Sequence, residues 1–230
     1  MTMTYFFWQS QGEKKTQTVI FDYNQKKNDY ELKEGNLKDN DKRKKLVEEN
    51  DLDNDGSGEE YELKNKTLIV SQNKKKIWQT PSSWRVDSFF LADSNNDGRK
   101  EINLSVWKKG NFGSSKPFWV KENDQSTKNH FFVFSFDKEK IKAIWQSSNL
   151  KKPNCEFIFG DVDNDGKQEL VVIEGEYGVK YNCQGNYLAV WQWNGWGFSN
   201  QWRSQKGKYE NLEIKKTAGK NLITVKKYGE

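Results

Sequence analysis

Asp161-Val-Asp-Asn-Asp-Gly-Lys-Gln-Glu169 packs four carboxylates into nine residues around one glycine. Two imperfect copies lie upstream, Asp51-Leu-Asp-Asn-Asp-Gly-Ser-Gly-Glu59 and Asp93-Ser-Asn-Asn-Asp-Gly-Arg-Lys-Glu101. All three read D-x-[DN]-x-D-G-x-x-E. Oxygen donors at positions 1, 3 and 5, a glycine at 6 for the bend and a carboxylate at 9 suit a hard cation that takes about six to eight oxygens, which means Ca²⁺. The expected ligands are Asp51, Asp53, Asp55, Ser57 and Glu59 in the first loop. In the second they are Asp93, Asn95, Asp97, Arg99 and Glu101, and in the third Asp161, Asp163, Asp165, Lys167 and Glu169. Position 7 varies freely, as expected if only its backbone carbonyl is used. The competing reading is an ion-free Asx turn that closes a hairpin. Without a cation, however, the four carboxylates of the first and third loops would repel one another. The second loop, with Asn95 in place of an acid, is expected to bind most weakly. The ion's expected role is structural, holding the two flanking strands in register.

The flanks separate this pattern from an EF-hand, which needs helices on both sides, an apolar eighth residue and a glutamate at position 12. The twelfth residues are Glu62, Leu104 and Val172, and the eighth are Gly58, Lys100 and Gln168. Strand-like runs surround the second and third loops instead: Val86–Ala92 and Ile102–Trp107, then Cys155–Phe159 and Leu170–Ile173. Short β-branched and aromatic runs around a tight loop make a hairpin. The EF-hand reading falls.

A second repeat accompanies the loops: Trp8-Gln-Ser10, Trp78-Gln-Thr80, Trp145-Gln-Ser147 and Trp202-Arg-Ser204, each ending a short strand. Trp78 precedes Asp93 by 15 residues and Trp145 precedes Asp161 by 16. That interval identifies a repeated unit. It reads strand A, acidic loop, strand B, variable loop, strand C, tight turn, and strand D ending in Trp-Gln-Ser. The clearest unit spans 84–147, with strands at Val86–Ala92, Glu101–Trp107, His130–Phe136 and Lys140–Trp145. Another covers 154–204, with a hairpin signal at Asn194-Gly195. A shorter unit covers about 11–80, with strands near Glu60–Leu63, Lys66–Ser71 and Lys75–Gln79. Its charged front contains one credible strand, Thr18–Phe21, and a weaker one at Asp29–Lys33. Residues 1–10 and 209–227 read as partial end units, the latter an apolar hairpin without an acidic loop.

The expected fold is all-β, a β-propeller-like array of four-stranded blades in one domain over 1–230, with about three full blades and partial ends. Here the residues resemble the FG-GAP/VCBS repeat family, the calcium-loop propellers of integrin α chains and many bacterial surface proteins. Phe159-Gly-Asp-Val-Asp-Asn-Asp-Gly-Lys-Gln-Glu169 is close to that family's core motif, whereas Ala92-Asp93 and Asn50-Asp51 replace its Gly-Asp. The resemblance covers roughly 46–204. It implies Ca²⁺ as the bound ion and leaves the function open.

In the blade arrangement, Cys155 precedes strand A and Cys183 lies in the B-to-C loop of the same unit, on one face opposite the calcium loops. A disulfide between them is geometrically reasonable and would need an oxidising compartment; two buried thiols are the alternative. The long B-to-C insert 108–129 carries Phe112, Lys116, Phe118 and Trp119. Together with Tyr177, these form the candidate ligand surface, the alternative being aromatics that plug the blade.

Composition limits the function classes. The chain has 230 residues, enough for one sizeable core, with ten Trp and a net charge of +5. Its lysines are scattered among acidic loops, so no nucleic-acid partner is expected. No apolar run approaches a membrane span, so membrane insertion is not expected either. Met1–Trp8 has neither a basic n-region nor a long apolar core, so no signal peptide is visible and a cytoplasmic setting stays open. Calcium loops of micromolar or weaker affinity would stay mostly empty there, which points to the cell surface or beyond. The single histidine, His130, opens a strand, and no catalytic motif occurs. The expected function is therefore a calcium-binding, non-enzymatic module of a bacterial surface or secreted protein, serving adhesion or the binding of a protein or glycan. The alternative is a polysaccharide-active enzyme or its carbohydrate-binding accessory domain.

Overall fold

Runs of β-branched and aromatic residues, punctuated by Asn, Asp and Gly, form strands throughout this computed structural model. The structure describes residues 16–34, 47–111, 118, 120–122, 124–137, 140–217 and 219–228, and these contain no helix. The strands are β1 (Thr16–Asn24), β2 (Asp29–Glu34), β3 (Val47–Asn50), β4 (Glu59–Lys64), β5 (Thr67–Gln72), β6 (Lys75–Gln79), β7 (Arg85–Ala92) and β8 (Glu101–Lys109). They continue with β9 (Thr127–Asp137), β10 (Lys140–Gln146), β11 (Asn154–Gly160), β12 (Glu169–Tyr177), β13 (Cys183–Trp193), β14 (Phe198–Arg203), β15 (Tyr209–Thr217) and β16 (Lys220–Tyr228).

Among the described residues these strands form four antiparallel sheets of four strands. The first holds β3 to β6, the second β7 to β10 and the third β11 to β14, each in chain order as a meander. Local chemistry sets the turns. Asn65-Lys66 and Asn73-Lys74 sit at positive φ (49° and 64°, 51° and 63°), the handedness that two-residue hairpin loops require. The Asn194-Gly195 hairpin uses four residues rather than two. Trp193 pairs with Phe198, and Asn194 Oδ1 accepts the N–H groups of Trp196 and Gly197 at 3.0 and 2.9 Å.

The fourth sheet departs from the expected units. Its order is β15-β16-β1-β2, so the strands of segment 16–34 pair with the C-terminal hairpin and not with the first acidic unit. Val19 faces Val225 and Phe21 faces Ile223 across the β1–β16 ladder. The expected partial C-terminal unit is thereby completed to four strands, and the first unit starts at β3. Two isolated hairpins would each be marginal and would leave edge N–H and C=O groups unpaired. Joining them satisfies one edge of each and buries Val19, Phe21, Ile223 and Val225. The other expected partial unit, residues 1–10 with Trp8, lies outside the described residues.

Packing links the sheets in series. One buried cluster joins the first and second sheets through Tyr61, Leu68, Val86 and Phe132. Another joins the second and third through Phe131, Val133, Phe157 and Phe159. The last joins the third and fourth through Ile173, Leu188, Phe21 and Ile223. The tryptophan repeat runs across these seams. The Trp78 ring packs at an angle against Phe134 with centroids 5.7 Å apart, Trp145 edge-on against Phe198 at 5.5 Å, and Trp202 against Phe21 and Tyr30 at 5.3 and 5.1 Å. Each closes its own sheet and seals it to the next, which explains why the residue recurs at the end of the last strand.

Candidate metal centres

Each acidic loop connects the first two strands of its sheet, and the three share one backbone design. The position-6 glycines have φ of 88°, 91° and 88°, a region closed to most side chains. Two residues earlier, Asn54, Asn96 and Asn164 also adopt positive φ (57°, 60° and 62°). Asparagine tolerates that conformation better than most residues. The sequence signal was present, because Asn occupies position 4 in all three copies, but a ligand-centred reading passes over it.

Hydrogen bonds within each loop aim the carboxylates. The position-1 aspartate accepts the glycine N–H: Gly56 donates to Asp51 at 3.0 Å, Gly98 to Asp93 at 2.9 Å and Gly166 to Asp161 at 3.1 Å. Position 5 accepts the N–H of position 7, with Ser57, Arg99 and Lys167 donating at 2.7, 2.9 and 2.8 Å. At position 9, Oε2 takes the N–H of position 2: Leu52 to Glu59 at 3.0 Å, Ser94 to Glu101 at 2.8 Å and Val162 to Glu169 at 2.9 Å. This last contact ties the glutamate on the outgoing strand to the start of the loop and leaves its second oxygen for another partner.

The carboxylates converge. In the first loop Asp51, Asp53, Asp55 and Glu59 offer oxygens within 4.8 Å of one another; in the second Asp93, Asp97 and Glu101 do so, and in the third Asp161, Asp163 and Glu169. Each group could hold a metal ion. Asp165 lies outside the third group, although it still organises the loop through Lys167. Asn95 donates to Asp97 at 3.0 Å, so the neutral substitution supplies a hydrogen bond where the other copies carry charge.

Burial sets the electrostatics. Glu59, Glu101 and Glu169 are 0, 2 and 2% exposed. Desolvation pushes Glu101 up to about 7, against the N–H and hydroxyl of Ser94. Glu169 is pushed up to about 8, first by burial and then by Asp163, Asp165 and Asp161, against the Val162 N–H. In the third loop Asp161 Oδ1 and Glu169 Oε1 are buried without a hydrogen-bond partner. A buried oxygen of that kind is costly unless something binds it, and a cation drawn into the group is the partner that the donor set fits.

Neighbouring elements hold the loops in place. Asn96 clamps the backbone of Gln168 through both side-chain atoms, and Asn221 donates to the Asp161 carbonyl at 2.7 Å. The second loop is therefore bound to the third, and the third to β16.

The far end of the third sheet carries the cysteines. Cys155 and Cys183 form a disulfide, with Cα atoms 5.3 Å apart. Cys183 pairs with Tyr177 at the end of β12 opposite Glu169. Gly175 makes room for it: a Cβ there would sit 2.4 Å from the Cys155 sulfur and 2.3 Å from the Gln184 carbonyl.

Of the expected ligand surface, Phe112, Lys116 and Trp119 lie outside the described residues, and Phe118 is 93% exposed. Tyr177 is half-buried and engaged. Its hydroxyl donates to the Leu150 carbonyl at 2.6 Å and accepts the Asn129 N–H at 3.3 Å. Trp107 meets its ring edge-on, and the Lys128 ammonium lies 4.1 Å from its centroid. Trp196, at the tip of the β13–β14 turn, is 84% exposed. His130 is fully buried, and desolvation lowers its pKa to about 4.

The chain matches no protein-family model, and no curated protein matches it.

Proposed function

We propose that this chain is a calcium-stabilised, β-propeller-like binding module that works outside the reducing cytosol and presents a loop surface to a protein or glycan ligand. The observation that carries the calcium assignment is the third loop. Asp161 Oδ1 and Glu169 Oε1 are buried and unpartnered inside a converging carboxylate group. Asp161, Asp163 and Glu169 would hold the ion, with the position-7 carbonyl of Lys167 as a further oxygen. Ca²⁺ tolerates an irregular all-oxygen shell of this kind, whereas Mg²⁺ demands a near-ideal octahedron and keeps several waters. The bound ion supplies positive charge that lets clustered carboxylates stay ionised in a desolvated loop.

Three further features support the rest of the reading. Four sheets packed in series, the last assembled from both ends of the chain, suit blades of a small propeller. The Cys155–Cys183 disulfide suits an oxidising compartment. The module is read as non-enzymatic because its histidine is buried and its clustered carboxylates are committed to the loops.

A thermal melt with calcium, with magnesium and with excess chelator tests the central claim. Calcium should raise Tm by several degrees over the chelated protein, since a site held at a hundred times its Kd adds about 2.7 kcal/mol. Magnesium should not substitute. Identical melts in calcium and chelator would remove the calcium assignment.

A further inference from the structure

The first and third loops differ in what touches their last glutamate. Antiparallel register places Gln72 opposite Glu59 in the β4–β5 ladder. In the third sheet Leu170 faces Trp191, so Gln192 stands opposite Glu169 one step further along. The residue type is the same but the outcome is not. Gln72 Nε2 donates to Asp55 Oδ2 at 3.1 Å, to the Ser57 carbonyl at 3.3 Å and to Glu59 Oε1 at 3.0 Å. Those are the oxygens of positions 5, 7 and 9, three of the five that a cation would use. The Gln192 amide does not reach Glu169, whose Oε1 has no partner. In the second sheet the matching position is Ser135, which turns away to the Lys142 carbonyl.

The geometry points to Gln72 as a built-in plug of the first loop, an uncharged amide that competes with the cation and makes this loop fill after the third. This inference rests on the calcium reading above. By charge alone the first loop should bind best, because four of its carboxylates converge against three in the third. Ligand availability reverses that order. An ion entering the third loop meets buried oxygens that already lack a partner. An ion entering the first must break hydrogen bonds from an amide to two carboxylates, the stronger kind of hydrogen bond. The plug also lets the first loop keep its shape without an ion, since the amide bridges positions 5, 7 and 9 from the neighbouring strand.

Calcium titration of the wild-type protein, followed by NMR, reads the order directly. The backbone amides of Gly56 and Gly166 report on the first and third loops, and the side-chain amide of Gln72 reports on the plug. Gly166 should shift at a calcium concentration about tenfold or more below Gly56, and the Gln72 amide should move together with Gly56. In Gln72→Met, which keeps the length of the side chain without the amide, the Gly56 midpoint should fall to that of Gly166 or below. Gly56 shifting with or before Gly166 in the wild type would overturn the inference. So would a weaker first loop in Gln72→Met, which would make the glutamine a ligand through Oε1. If the variant does not fold, the wild-type order alone decides. Should neither glycine respond to calcium at any concentration, the calcium reading itself fails and this inference falls with it.

Discussion

The carboxamide of Asn96 bridges the backbone of Gln168, accepting its N–H at 2.7 Å and donating to its carbonyl at 3.4 Å. One side chain in the second acidic loop thus imitates a strand neighbour for the third. The two loops belong to different sheets, and this contact ties the shape of one acidic loop to that of the other.

Asn96→Gly tests that clamp, because glycine accepts the φ of 60° and the side chain that carries the carboxamide is gone. The variant should lose about 1–2 kcal/mol of stability, by the usual net worth of two hydrogen bonds. Denaturant unfolding in calcium measures the loss. Calcium affinity of the third loop should fall as well, although no ligand of that loop has changed. An unaltered third loop would mean that the two loops are merely adjacent.

His130 predicts an acid limb in the stability profile. Burial lowers its pKa from 6.5 to about 4, with Lys108 adding to the effect and the Ser147 carbonyl opposing it. Nδ1 lies 3.1 Å from that carbonyl, so the neutral ring carries its proton on Nδ1. The sign follows from proton uptake. Below pH 6.5 the unfolded chain binds a proton that the folded chain refuses until about pH 4. Folded stability therefore falls as pH drops through this window, by roughly 3 kcal/mol in all. His130→Asn, which keeps a donor for Ser147, should flatten this limb when urea unfolding is compared at pH 7 and pH 4. Equal slopes in the two proteins would remove His130 from the explanation.

The disulfide closes a separation of 28 residues. Chain-entropy reasoning assigns a loop of that size about 3.5 kcal/mol. Reduction, or Cys155→Ala with Cys183→Ala, should lower the unfolding midpoint accordingly. The acidic loops sit at the other end of β12, so calcium affinity should change far less than stability does. A collapse of calcium binding on reduction would show that the third sheet transmits strain along its full length.

Much of this protein could be read from local sequence, and the reason is that the relevant physics is local. Positions 1, 3, 5, 6 and 9 of each loop serve one turn of backbone, so spacing alone pointed to Asp51, Asp53, Asp55 and Glu59, to Asp93, Asp97 and Glu101, and to Asp161, Asp163 and Glu169, which converge, but it could not say that Asp165 stays outside its group. Short β-branched and aromatic runs likewise marked the strands of the second and third sheets. The recurrent tryptophans were visible as a period, but their purpose was not, since their partners Phe134, Phe198 and Phe21 lie in other sheets.

Tertiary structure decided what depends on distant segments. Nothing in Thr18–Phe21 says whether it will pair with a neighbour or with a strand some two hundred residues away. Unpaired edges and an uncovered apolar face on each hairpin made the long-range solution favourable, and the fourth sheet formed from segments 16–34 and 209–228. The pairing of Cys155 with Cys183 needed the β12–β13 register to bring the sulfurs together. Gln72 lies 13 residues beyond Glu59 and reads as an ordinary surface glutamine. Only the fold of β5 against β4 sets its amide on the first loop's carboxylates, because a hydrogen bond depends on where two groups meet in space and not on their separation along the chain.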